Sequence, residues 1–323
     1  MNVWQKLAQD KRPILALAPM DGLTDLAMRL ITKKYGEPDL MFTEFVNVEG
    51  LFYAKERLMP ILRTQVEESP VIAQFYGLKP GLFYEAVYFA CGLGFAGIDL
   101  NMGCPARNVV SHGAGAGLIK NRHLVKEIFA CATDAVNNYV RDNGGEVLPI
   151  SIKTRLGYYS ADEMQDWLEF LLDLKPAVIS LHGRTLKQGY TGEADWGKIA
   201  EAVELAKGTE TLILGNGDIN SYPLAMERAA QSGVDGILIG RGALGNPFVF
   251  KQEQADHRRL ATVALEHCRL YEELMLNPKR PNFLPMRTQL AAYIRGFPNA
   301  AAVRSQLMQC NNSTEVEAVL SEI

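Results

Sequence analysis

The chain is 323 residues long, 48% hydrophobic and 22% charged, with a net charge of −4 at pH 7. That length suits two domains with a large core. The acidic balance excludes bulk charge as a means of binding nucleic acid, so any such surface must be local. The cysteines at 91, 104, 131, 268 and 310 form no close pair, which predicts reduced thiols in the cytoplasm and no disulfide frame or zinc site. Met1 to Leu7 carries no apolar leader before Asp10-Lys11-Arg12. No apolar run is long enough to span a bilayer.

Short apolar runs recur along the chain at 14–18, 40–43, 71–75, 97–100, 149–153, 177–181, 211–214 and 234–239. They barely alternate, as expected of strands buried on both faces of a parallel sheet. Segments of helical spacing lie between them. The clearest is 162–174, where Met164, Trp167, Leu168, Leu171 and Leu172 share a face and Ser160 with Glu163 form a capping-box pattern. Eight such repeats predict an α/β fold, a (β/α)8 TIM barrel over residues 1–250, in preference to a doubly wound sheet. The strand pattern stops near Phe250, and a helical domain is expected over 251–323. Its helices are expected at about 261–271, 285–294, 300–308 and 313–320, with a linker at 277–281. From Leu274 to Thr314 there is no Asp or Glu, but there are Lys279, Arg280, Arg287, Arg295 and Arg304. Such a span is either a solvated helix face or a local patch for a polyanion.

In a barrel, chemistry gathers where strands end. Strand one runs into Pro19-Met20-Asp21-Gly22, either a flat surface for a ring or an ordinary turn before a helix. Strand two ends in Glu44, which an ion pair explains equally well. Gln74, after strand three, offers both a donor and an acceptor and either reads an amide edge or ties down a loop. Strand four reads Ile98-Asp99-Leu100-Asn101 and enters Met102-Gly103-Cys104-Pro105, where glycine and proline fix the backbone and aim the thiol. The run Ser111 to Gly117 is expected to be a mobile, glycine-rich lid carrying Cys104. Lys153 and Arg155 share one face of strand five, and two inward cations call for an anion. His182 and Arg184 follow strand six and extend that reading. Gly215-Asn216-Gly217-Asp218 and Gly240-Arg241-Gly242 end strands seven and eight, where barrels often bind phosphate. Gly240 to Gly245 also matches G-x-G-x-x-G, but no strand follows, so a Rossmann unit is rejected. The histidines lack metal-ligand spacing, and no Ser-His-Asp arrangement is legible.

With these motifs in order along the chain, the sequence resembles the tRNA-dihydrouridine synthases. The Asn101-Met102-Gly103-Cys104-Pro105 loop together with His182-Gly183-Arg184-Thr185 is the specific part. The resemblance implies an FMN-dependent barrel followed by a helical tRNA-binding domain, with NADPH as reductant. It implies hydride delivery to C6 of a uracil and protonation of C5 by Cys104. Asn101, Arg155 and Tyr190 would hold the base, and Arg287 would contact the tRNA. Pro19, Met20, Gln74 and Lys153 would grip the isoalloxazine ring, with Asp21 beside them on the cofactor. His182, Asn216, Gly217, Asp218, Gly240 and Arg241 would hold the ribityl chain and phosphate. No metal and no membrane are implied, and a monomer is expected.

The chain departs from the family pattern in two places. Met286-Arg287 is followed by Thr288-Gln289 where Lys-His is common, and Asn108 stands where a basic residue is common. Two other functions compete. A flavin barrel acting on a free pyrimidine, as dihydroorotate dehydrogenases do, needs no helical tail. An RNA-binding protein without catalysis needs neither Cys104 nor Lys153.

Overall fold

The computed structural model describes residues 1–276 and 282–321. Eight parallel strands close into a barrel: β1 (Ile14–Leu17), β2 (Leu40–Asn47), β3 (Val71–Tyr76), β4 (Gly97–Met102), β5 (Ile150–Arg155), β6 (Val178–His182), β7 (Leu212–Asn216) and β8 (Gly236–Ile239). Each strand pairs with the next, and β8 returns to β1.

The period of two along each strand divides the barrel into a wall and an interior. Leu15, Leu17, Met41, Ala73, Phe75, Ile98, Leu100, Ile152 and Ile237 face the surrounding helices and join one large core. Ile14, Ala16, Leu40, Phe42, Ile72, Val178, Leu214 and Leu238 fill the lower interior, and Trp4 from the helix Val3–Ala8 packs with them. Both faces are buried, so the strands show little contrast in sequence. Above the apolar layer the inward positions turn polar, beginning with Gln74, Asp99, Ser151 and Lys153.

Local signals explain several helices. The expected cap at 160–163 forms: Ser160 Oγ accepts from the Asp162 N–H, and the Glu163 carboxylate accepts from the N–H groups of Tyr158, Tyr159 and Ser160. The helix Met164–Asp173 follows. Its Trp167 indole donates to Thr154 Oγ1 at 3.0 Å, tying the helix to β5. Outside the strands, Arg29 of the helix Leu26–Gly36 and Glu68 of the turn before β3 form a buried bidentate pair, with Nε–Oε2 2.6 Å and Nη2–Oε1 3.0 Å.

The helices His257–Leu274, Leu284–Tyr293, Ala300–Leu307 and Ser313–Leu320 make a second core. That core is not independent of the barrel, because Ala27, Ile31 and Phe248 belong to it. Glu266 also accepts from Lys34 Nζ at 2.7 Å and from Tyr35 OH at 2.6 Å. The linker expected at 277–281, with Lys279 and Arg280, lies outside the described residues. Among the described residues, no helix is long and apolar enough to cross a membrane. No group of three or more His, Cys, Asp or Glu among them could hold a metal ion.

Candidate active site

The strand ends surround a cavity of about 1310 Å³ at the C-terminal mouth of the barrel. Pro19, Met20, Asp21, Asn101, Cys104, Lys153, Arg155, His182, Tyr190, Asn216, Gly217, Asp218, Gly240 and Arg241 all line it. Two of the residues expected at the site stand elsewhere. Gln74 is fully buried and is not part of the lining. Arg287 is directed away: its Nε donates to the Cys310 carbonyl at 2.8 Å and its Nη2 to Asn311 Oδ1 at 2.7 Å. The helical region reaches the cavity through Arg295 instead, whose Nη2 donates to the Leu244 carbonyl at 3.0 Å.

Cys104 sits on a loop held at every backbone polar group of Gly103-Cys104. Asn101 Oδ1 accepts from the Gly103 N–H at 3.1 Å and from the Cys104 N–H at 2.9 Å. Arg155 Nε donates to the Gly103 carbonyl at 2.8 Å, and the Ala116 N–H donates to the Cys104 carbonyl at 3.1 Å. That last bond corrects the expectation of a mobile lid. Ala114, Gly115 and Ala116 are buried against the thiol loop and lead into a 3-10 helix over Gly115–Lys120. Gly115, at φ 57°, is required there, since an added Cβ would lie 2.8 Å from the Cys104 carbonyl oxygen. The thiol is aimed by packing. Burial, above all, raises its pKa above the ordinary value of 9.0, so it keeps its proton at neutral pH.

Lys153 and Arg155 do lie on one face of β5. Lys153 Nζ donates to Asn216 Oδ1 at 3.0 Å, and no carboxylate among the described residues pairs with it within salt-bridge distance. Burial, then repulsion from Arg155, lowers its pKa to about 8. The Asn216 amide is oriented by its own donation to the Leu238 carbonyl at 2.8 Å, which turns Oδ1 toward the lysine. Arg155 is 2% exposed and links two loops, since its Nη1 also donates to the Thr185 and Gly189 carbonyls at 3.1 and 3.0 Å. Tyr190, 60% exposed, hangs over the mouth between the Arg155 and Arg241 guanidiniums, 5.8 and 4.9 Å from its ring centre.

His182 and Arg184 do not form a free anion site. Arg184 Nη2 donates to Asp218 Oδ2 at 2.6 Å and to the Gly192 carbonyl at 2.6 Å. Its Nη1 lies 3.3 Å from His182 Nε2. A guanidinium only donates, so Nε2 accepts and the ring proton sits on Nδ1. Burial and four neighbouring cations lower the His182 pKa and keep the ring neutral. Glu44, open in sequence between an ion pair and a site role, accepts from the Gly22 N–H at 2.6 Å and so holds the β1 loop. Burial raises its pKa to about 7. Asp99 is a residue that the motifs do not single out. It is 0% exposed, bonded to Gln74 Nε2 at 2.6 Å and to Ser151 Oγ at 2.5 Å. Period-two counting from Asn101 is the signal that places it on the inner face.

The dihydrouridine synthase family matches residues 16–323. A probable tRNA-dihydrouridine synthase 2 of Bacillus subtilis (strain 168) is 36% identical over 327 residues, covering 99% of this chain and 96% of that protein. A probable tRNA-dihydrouridine synthase of Staphylococcus aureus (strain COL) is 36% identical over 328 residues, covering 99% and 95%. Histamine dehydrogenase from Rhizobium sp. 4-9 shares the fold, with a TM-score of 0.57 at 14% identity over 80% of this chain and 49% of that one. The chain therefore belongs to the dihydrouridine synthase family of oxidoreductases.

Proposed function

We propose that this protein reduces the C5=C6 bond of uridines in tRNA, using FMN with NADPH as reductant, and that Cys104 supplies the proton to C5. The observation that carries the reading is a half-buried thiol on a loop held by hydrogen bonds, sharing one cavity with a lysine that has no carboxylate partner among the described residues.

The residues present fit an anionic flavin. Lys153 would face the negatively charged edge of a reduced ring, with Pro19 and Met20 along its flank. At the other end, glycines let the turns after β7 and β8 pack closely at the cavity edge. Gly217 has φ 134°, and a Cβ there would lie 2.5 Å from Ala194 Cβ; at Gly242 it would lie 2.2 Å from the Ile219 carbonyl oxygen. Arg241 and the N–H groups of this glycine-rich turn would hold the phosphate. Asp218, paired to Arg184 and Arg241, would set the position of those cations.

FMN reduced by NADPH and held by Lys153, Pro19 and Met20 would supply hydride to C6 of the uracil. Negative charge would then develop toward the C4 oxygen, where the Arg155 cation would stabilise it. Cys104 Sγ releases its proton to C5. Tyr190 covers the base at the mouth, and Asn101 presents its remaining amide N–H to it. A uridine within folded RNA reaches this depth only by leaving its stack. Arg295 on the cavity rim supports a substrate that spans the barrel mouth and the helical region.

The test is incubation of purified protein, FMN and NADPH with a tRNA transcript free of modified bases, followed by mass spectrometry of its nucleosides. Dihydrouridine is expected. A transcript without it, alongside reduction of free uridine or orotate, would move the chain to the small-molecule reading.

A further inference from the structure

Asp99 lies one layer below the cavity, and none of the roles above uses it. On one side it accepts from Ser151 Oγ at 2.5 Å. On the other, Gln74 Nε2 donates to it at 2.6 Å. Gln74 Oε1 in turn accepts from Asn101 Nδ2 at 2.8 Å, and Asn101 Oδ1 accepts from the N–H groups of Gly103 and Cys104. Gln74, Asp99 and Ser151 stand in register across β3, β4 and β5, so the sheet itself builds this contact. Asp99 and Gln74 are 0% exposed and Asn101 is 6% exposed.

The direction of every bond in this chain is determined by its ends. A carboxylate only accepts, and backbone N–H groups only donate. The two amides between them have one orientation that satisfies both. Burial raises the Asp99 pKa to about 6, while its hydrogen bonds and Lys153 hold it down, so it is ionised at neutral pH. A charged acceptor binds Gln74 more strongly than a neutral one would. The chain ends on the backbone of the cysteine whose thiol faces the cavity.

We infer that Asp99 is a positioning residue for the proton donor, anchoring an oriented Gln74–Asn101 relay that clamps the Cys104 loop. This rests on the role proposed for Cys104, but the clamp itself can be read without turnover. The probe is iodoacetamide, with alkylation of Cys104 followed by peptide mass spectrometry in protein free of flavin and tRNA. Uridine reduction is measured alongside.

Asp99→Ala removes the anchor. Loss of a hydrogen bond to a charged group predicts about tenfold faster Cys104 alkylation and about a tenfold lower kcat, with KM for tRNA unchanged. Asp99→Asn keeps an acceptor toward Gln74, because its amide can donate to Ser151 Oγ while the serine hydroxyl turns to the Ile98 carbonyl 3.3 Å away. It should stay within about threefold of wild type on both readouts. Should Asp99→Ala not fold, a second pair carries the test. Asp99→Asn with Gln74→Glu moves the carboxylate one place along the relay, and the new carboxylate still accepts from Asn101. Alkylation stays slow in that double variant and speeds up in Gln74→Leu. Unchanged alkylation in both Asp99→Ala and Gln74→Leu would overturn the inference, as would a double variant that alkylates as fast as Gln74→Leu. A wild-type protein inactive on tRNA would defeat the proposed function, while the alkylation comparison would still decide the clamp.

Discussion

The barrel mouth and the helical region both carry clusters of cations, and they use them differently. At the mouth, Lys153, Arg155 and Arg241 all line the cavity: Lys153 has no carboxylate partner among the described residues, while Arg155 is held by three loop carbonyls and Arg241 by Asp218, so only the lysine's charge is locally uncompensated. In the helical region, Arg287 caps the Cys310 carbonyl, Arg304 donates to the Ile294 carbonyl at 2.7 Å, and Arg295 donates to the Leu244 carbonyl. An acid-free stretch of sequence therefore does not mean unspent positive charge. Backbone carbonyls at helix ends take up the donors that carboxylates would otherwise satisfy. Arg295 belongs to both groups, because it reaches the cavity rim while holding the β8 loop.

This contrast can be broken by substitution. The largest effect is expected at Lys153. Lys153→Met should weaken FMN binding by about ten- to a hundredfold, the value of a charge-assisted contact, with little change in tRNA affinity. Isothermal titration with FMN checks it, and wild-type affinity would show that the lysine does not face the cofactor. The same cation predicts a pH dependence. Free Lys153 loses its proton at about pH 8, and an anionic ligand favours the protonated form. FMN affinity should thus be level below about pH 8 and fall by up to about tenfold per unit above it. A flat titration from pH 7 to about pH 9.5 would contradict this.

Smaller effects are expected in the helical region. Arg287→Ala should lower stability by about 1 kcal/mol, a melting-temperature loss of about 2–4 °C, and leave tRNA affinity nearly unchanged. Arg295→Ala should instead weaken tRNA binding at low salt and lose that effect at high salt, because an exposed contact is screened. Equal salt curves for the two variants would erase the distinction between them.

The barrel is legible in sequence because each strand announces itself by an apolar run, and most of them also by a polar residue at or just past their end. Strand ends are harder. β2 runs on to Asn47 because Phe45 and Val46 pair with Gln74 and Phe75 beyond an irregularity after Phe42. The departure at Gln289 has a structural use that no motif records: its Nε2 donates to the Leu23 carbonyl at 3.3 Å and joins the helical region to the β1 loop. Gly245 looks like part of a phosphate motif, yet it sits at φ 65° pressed against the Ala292 backbone. Likewise Gly115 serves close packing against the Cys104 loop. Composition alone cannot separate a glycine that permits motion from one that permits contact. Counting in twos from Asn101 places Asp99 on the inner face, but its role escapes a reading of the sequence because its partners Gln74 and Ser151 stand on neighbouring strands.

Single-turnover reduction of a tRNA uridine by Cys104→Ala protein carrying reduced FMN addresses the proton donor most directly. FMN binding should match wild type, and dihydrouridine formation should slow by about a hundredfold or more. Turnover at the wild-type rate would show that C5 takes its proton from another group.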